Sequence, residues 1–280
     1  MAEGYIKDIR LGSPFELRDG LRFEYAHAST PGAAAAEKMY ANGQFGNREI
    51  HIMRMLSETG AMTSNLIRES FLLPDTRKEL QKFSQTRNPY EKEIRNLAEL
   101  RLVTAGRFYD GYTPIYKAYF LSEGAHKWLR RRGLSSERQE EWIPPEKDVR
   151  TLMERLSAAS FHIGRLMMGD QSIASWERAG SETAGYHYRY TYRDGREEWL
   201  LSVRDMDTSI RLDRFYAGRS DKKALIILVP EDRYAKALSG RLGDGAGNGG
   251  NIMYCTDRIV GSRYKELRLF SFSDTEQAYG

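Results

Sequence analysis

Apolar residues at Ile50, Met53 and Leu56, then at Leu66, Ile67 and Phe71, then at Ile94, Leu97 and Leu100, recur at helical spacing. The polar residues between them mark where each helix begins and ends. Gly60 suits a left-handed cap closing the first helix, which opens at Asn47. Thr63 and Ser64 can cap the second. Asp75-Thr76-Arg77-Lys78-Glu79 offers a capping box for a short helix through Phe83. Asn88 fits an N-cap and Pro89 the first helical position of the next helix, with Glu91 completing the cap. The period then changes. Leu102-Val103-Thr104 and Ile115 to Leu121 read as strands around an Asp110-Gly111 turn, and Ser122 caps a helix from Glu123 to about Arg131.

Upstream, Phe15-x-Leu17 and Leu21-x-Phe23-x-Tyr25 alternate on either side of Asp19-Gly20, which predicts a hairpin with a type I′ turn. Pro31-Gly32 opens an alanine run, Ala33 to Ala36, expected as a short helix ending near Gly43. Downstream, Ser135 to Pro145 is polar and ends in two prolines, as a linker would. Val149, Leu152, Met153, Leu156, Phe161, Ile163 and Leu166 predict a long amphipathic helix between Lys147 and Met168. Strands are expected at Ile173–Ala179, Tyr186–Tyr192, Glu198–Val203, Asn251–Cys255 and Leu267–Phe272, with helices at Met206–Ala217 and Glu231–Leu242. The run Ala224-Leu225-Ile226-Ile227-Leu228-Val229 is apolar throughout, as in a strand covered on both faces. The fold class read from this order is α+β. Residues 1–45 form an extension and 46–134 a winged helix-turn-helix; after a linker at 135–146, residues 147–280 form an α/β domain.

Charge sharpens this division. The 280-residue chain carries a net +4, but residues 46–134 hold 16 Lys and Arg against 10 Asp and Glu, so the basic excess lies in one segment, as expected where phosphates are met. On the helix beginning at Pro89, Ile94, Leu97 and Leu100 face the core, and Tyr90, Lys92, Arg95, Asn96 and Glu99 are assigned to the opposite face. Arg and Asn can make paired hydrogen bonds to guanine and adenine edges, whereas Lys92 suits a phosphate. Arg107 and Lys117 flank the turn of the hairpin and suit the DNA backbone; Arg77 and Lys78 would extend the same surface. A solvated, inert charged face is the plainer alternative for each.

The succession of a helix, LAELRLV, a hairpin and YFLSEGAHKWL resembles bacterial winged-helix regulators, in which the recognition helix runs into the wing. The helix, strand, hairpin, helix and strand of the second domain resemble the restriction-endonuclease-like fold. A magnesium nuclease of that type needs an acidic-x-Lys triplet, and Leu200-Leu201-Ser202-Val203-Arg204-Asp205 has none. Glu177, Asp194 and Asp205 are available carboxylates, but no lysine stands two residues after any of them. With Asp205-Met206-Asp207-Thr208-Ser209 and ALIILVPEDRYAKAL, residues 46–272 resemble the replication-relaxation family of plasmids and conjugative elements. That resemblance implies a double-stranded-DNA-binding regulator or accessory factor in replication, transfer or transcription, without catalysis. The second domain would then serve dimerisation, partner contact or further DNA contact. A metal-dependent nuclease and a protein-interaction adaptor are the alternatives.

Little else suggests chemistry. The histidines His27, His51, His126, His162 and His187 lack metal-ligand spacing, so no metal and no cofactor are expected. The glycine-rich loop at 243–250 lacks the closing Gly-Lys-Ser/Thr of a phosphate cradle and precedes a strand where a cradle would precede a helix. The single cysteine, Cys255, reads as a buried thiol. No apolar run would span a bilayer, and MAEGYIKDIR lacks the pattern of a secretion signal, so a cytoplasmic protein without membrane contact is expected.

Overall fold

The computed structural model describes residues 13–25, 29–74, 76, 89–135, 142, 144–145, 148–169, 171–179, 186–204, 223–242, 252–257 and 269–271. Among them are seven helices and two sheets in a mixed α+β arrangement. The chain divides into two compact units: residues 18–152, and residues from Met153 onward together with the described residues 13–17. The described residues of the N-terminal extension are therefore shared between the two units.

In the first unit, β1 (Leu21–Tyr25) is followed by α1 (Ala33–Ala41), α2 (Asn47–Thr59), β2 (Met62–Thr63) and α3 (Ser64–Ser70). Next come α4 (Pro89–Glu99), the hairpin strands β3 (Val103–Asp110) and β4 (Thr113–Leu121), and α5 (Glu123–Arg131). The caps are those their residue types favour. Glu49 accepts from the Gly46 N–H at 3.1 Å to open α2, and Gly60 closes it at φ 77. The Thr63 hydroxyl accepts from the Leu66 N–H, and Ser122 accepts from the Ala125 N–H. α1 packs on α5: the Trp128 indole donates to Glu37 at 2.7 Å, and Trp128, Tyr40 and Phe45 form an aromatic cluster. The short helix expected at Asp75–Phe83 lies almost wholly outside the described residues.

The sheet order in this unit is β1-β3-β4-β2, all antiparallel. The hairpin expected around Asp19-Gly20 does not form. A turn is present, with Gly20 at φ 81 and the Leu21 N–H on the Arg18 carbonyl at 3.1 Å, but only the second arm becomes a strand. That strand pairs with β3 instead, setting Phe23 opposite Phe108. Long-range packing of Phe23 on Phe108 and Phe120 outweighs the local turn signal. Gly106 makes this possible, since a Cβ there would lie 2.1 Å from the Phe23 ring and 2.9 Å from the Glu24 carbonyl oxygen.

In the second unit, α6 (Val149–Met168, opening before the division) is capped by Asp148, which accepts from the Thr151 N–H at 2.8 Å. It is followed by β5 (Ile173–Arg178), β6 (Tyr188–Tyr192), β7 (Glu197–Ser202), β8 (Lys223–Val229), α7 (Asp232–Leu242), β9 (Ile252–Thr256) and β10 (Phe270–Ser271). The sheet runs β10-β9-β8-β7-β6-β5: an antiparallel meander β5-β6-β7, parallel pairs β7-β8 and β8-β9, and an antiparallel β10 at the edge. The continuous apolar run became β8, with residues 225–229 fully buried. Leu225, Ile227 and Val229 pack with Ala235 and Leu238 of α7, while Ile226 and Leu228 pack with Ala158 and Phe161 of α6. One helix thus covers each face, which is why β8 shows no polar alternation. The helix expected at Met206–Ala217 and the glycine-rich loop lie outside the described residues. No helix among those described is long and apolar enough to cross a membrane.

Candidate nucleic-acid interface

α4 buries Tyr90, Glu93, Ile94 and Leu97 and exposes Glu91, Lys92, Arg95, Ala98 and Glu99. Tyr90 is thus on the core side, contrary to its assignment from sequence. Tyr90, Ile94 and Leu97 stand at i, i+4 and i+7, the spacing of a single apolar stripe. Asn96 is half-buried, and its side-chain amide donates to the Gln44 carbonyl at 2.8 Å and to Glu49 at 3.1 Å. It ties α4 to the start of α2 rather than standing free. Glu93 forms an ion pair with Arg48 of α2 at 3.0 Å. The outward cations of α4 are therefore Lys92 and Arg95, with Glu91 before them and Glu99 after them on the exposed side. Arg77 and Lys78 lie outside the described residues.

The β3–β4 hairpin carries the second group. Arg107 and Lys117 are both exposed and stand directly opposite one another in the register. On the other side of Arg107, β1 places Glu24 opposite it, with Arg22 opposite Tyr109. The solvent face of the three strands therefore presents Arg22, Arg107 and Lys117 with Glu24 as the anion among them. Arg22 donates its Nε–H to the Gly111 carbonyl at 3.1 Å and lies over the rings of Tyr109 (5.1 Å) and Tyr112 (5.6 Å). Its guanidinium is also 3.5 Å from Glu24. Sequence reading missed Arg22, because the alternation of Leu21, Phe23 and Tyr25 places it on a strand's polar face without saying which strand lies alongside.

The second unit organises its carboxylates differently. Glu198 and Arg165 of α6 form a buried ion pair, and Tyr192 donates to Glu198 at 3.1 Å. Glu177 accepts from Tyr186 at 2.7 Å and pairs with Arg189 at 2.9 Å, which also lies 3.8 Å from Glu197. Asp194 binds the Arg196 it precedes by two residues. Each of these carboxylates faces a cation of the protein, and no group of three His, Cys, Asp or Glu among the described residues could hold a metal ion. Asp205 lies outside the described residues. Cys255 is buried, and burial with the nearby Asp257 pushes its thiol up to about 12.

Each unit also encloses a neutral histidine. Burial, helped by Arg54, lowers His51 to about 4; burial, helped by Arg165 and Arg178, lowers His162 to about 3. His162 stacks on Tyr188 with ring centroids 4.4 Å apart, and its Nδ1 lies 3.1 Å from the Tyr190 hydroxyl. Because the folded values lie below the unfolded value near 6.5, the unfolded chain takes the proton first, and stability is lost as pH falls below 6.5. At pH 5.5 each histidine should cost about 1.4 kcal/mol relative to neutral pH. Thermal unfolding at pH 7.5 and 5.5 should show both units' transitions moving down in acid. His162→Gln should flatten the pH dependence of the second unit alone. A transition that stays put would contradict the burial assigned to that unit's histidine.

The chain matches no family model, no curated protein and no solved structure.

Proposed function

We propose that residues 18–152 are a winged helix that binds double-stranded DNA, with α4 as the recognition helix and the β3–β4 hairpin as the wing. The observation that carries this reading is the placement of like charges. Arg107 and Lys117 face one another on exposed strands, where two cations repel unless an anion lies over both. The order of elements supports it: α2, β2, α3, α4 and the hairpin follow in sequence, and β2 pairs with the outer edge of β4, joining the wing to the helices. Lys92 and Arg95 approach base edges and phosphates in the major groove, while Arg22, Arg107 and Lys117 hold the backbone beside it. Asn96, engaged with Gln44 and Glu49, positions the helix and does not read a base.

The second unit has a helix on each face of a sheet that opens with an antiparallel meander. This is compatible with the nuclease-like resemblance, but the described carboxylates Glu177, Asp194 and Glu198 are each paired with an arginine, so the unit is read as non-catalytic and suited to dimerisation or partner contact. The family reading of a regulator or accessory factor on a mobile element is carried only by the sequence resemblance.

Binding to fluorescent duplex DNA over a salt series, followed by electrophoresis of that DNA, tests the whole reading. Affinity should fall steeply with salt on DNA that stays intact in magnesium. Absence of binding at low salt would favour the adaptor alternative, and cleavage would favour the nuclease. Within this assay, Arg95→Ala should cost about 1–3 kcal/mol on a preferred sequence and relax the preference at one base pair. An unchanged affinity would remove Arg95 from base contact.

A further inference from the structure

The tip of the hairpin carries the most exposed aromatic side chain among the described residues, and a residue of another strand contacts it. Asp110 pairs with Thr113, leaving Gly111 and Tyr112 as a two-residue turn, with Gly111 at φ 58 as such turns demand of their first residue. Tyr112 is 94% exposed, and Ile115, close behind it, is 46% exposed. A tyrosine at a turn tip would ordinarily sample many positions. Here Arg22 from β1 binds the turn's own carbonyl and lies between Tyr109 and Tyr112, so a separate strand braces the tip. The surrounding exposed positions carry Arg22, Arg107 and Lys117 against Glu24 and Asp110, so the net charge is positive. A projecting aromatic ring on a face of net positive charge is complementary to a groove lined by phosphates.

We infer that Tyr112 is a wedge entering the minor groove of duplex DNA beside the recognition helix, partly unstacking one base step. This rests on the DNA-binding reading and adds to it a mode of engagement: the duplex is deformed, and A·T-rich steps are favoured because they present the narrow, strongly negative minor groove that attracts the flanking cations. The partner is duplex DNA, and the contact is made by ring insertion, with no hydrogen bond to a base edge required.

The probe is an alternating adenine–thymine duplex carrying 2-aminopurine in place of some adenines, whose fluorescence rises when its stacking is broken. Binding is followed in parallel by anisotropy of an end label, so that every comparison is made at saturating protein. The wild-type chain should raise the 2-aminopurine signal severalfold. Tyr112→Ala should bind about tenfold more weakly and give no rise once saturated. Tyr112→Phe should restore the rise, which separates insertion from any role of the hydroxyl. Saturated binding by the wild type without a rise, or an equal rise with Tyr112→Ala, would overturn the wedge while leaving DNA binding intact. No binding of the wild type to the duplex at low salt would remove both readings together.

Discussion

Asp257→Asn is expected to destabilise the second unit by about 3–5 kcal/mol, the largest effect of any single substitution considered for this chain. The Arg204 and Asp257 side chains are essentially inaccessible to water. The guanidinium grips the carboxylate through both Nη atoms, and its Nε–H and Nη2–H reach the Ser202 hydroxyl at 3.0 and 2.8 Å. Ser157 donates to Asp257 at 2.6 Å, and Ser13 donates to the other carboxylate oxygen. The pair therefore joins the end of β7, α6, the end of β9 and the N-terminal residues 13–17, with every hydroxyl directed at one of two buried charges. Asparagine keeps the shape and removes the charge, leaving Arg204 without a counterion in a medium that solvates it poorly; that imbalance sets the magnitude. The double variant Arg204→Met with Asp257→Leu should recover most of the loss, because it removes both charges, though three serine hydroxyls would then need new partners. Chemical denaturation followed by the tryptophans of the second unit measures both. A single variant within about 1 kcal/mol of wild type would mean that water or another cation reaches this cluster.

That network also marks the limit of what the sequence disclosed. Helix ends were legible because a cap is local: Thr63, Ser122, Gly60 and Gly43 lie within a few residues of the groups they satisfy. The apolar run of β8 was legible because coverage on both faces leaves no polar position. The pairing of Ser13 with Asp257 spans 244 residues and has no local signature, since neither residue departs from what a loop would use. The fate of Leu21–Tyr25 was hidden for a related reason. Alternation reveals a strand and its faces, but the partner is chosen by a fit such as Phe23 over Gly106, which joins positions far apart in the chain. The charged surface was half legible. Lys92, Arg95, Arg107 and Lys117 are exposed as expected, but Tyr90 and Asn96 are turned to internal use and Arg22 joins the face from outside the segment 46–134. Composition reports how many cations a segment holds; only the fold reports which of them already have an anion.

The double variant Arg107→Gln with Lys117→Gln should separate stability from binding, and the two readouts should move in opposite directions. In the free protein these cations stand opposite each other across β3 and β4, and such a pair costs about 0.2–1 kcal/mol relative to a neutral one. Neutralising both should therefore leave the first unit as stable or slightly more stable. Glu24 beside Arg107 offsets part of the repulsion, which keeps the expected gain at the low end of that range. On duplex DNA the same change removes two charge-assisted contacts of about 1.5 kcal/mol or more apiece, so affinity at low salt should fall by about 100-fold. The slope of log affinity against log salt should decrease by about two, one for each phosphate no longer neutralised. An adaptor using the same surface for an apolar partner would show no such change in slope, and a simply solvated charged face would show the stability gain with no loss of binding. Glu24 offsets only part of the repulsion between Arg107 and Lys117 within the strands, and on the proposed DNA-binding reading an approaching polyanion would turn what remains into attraction.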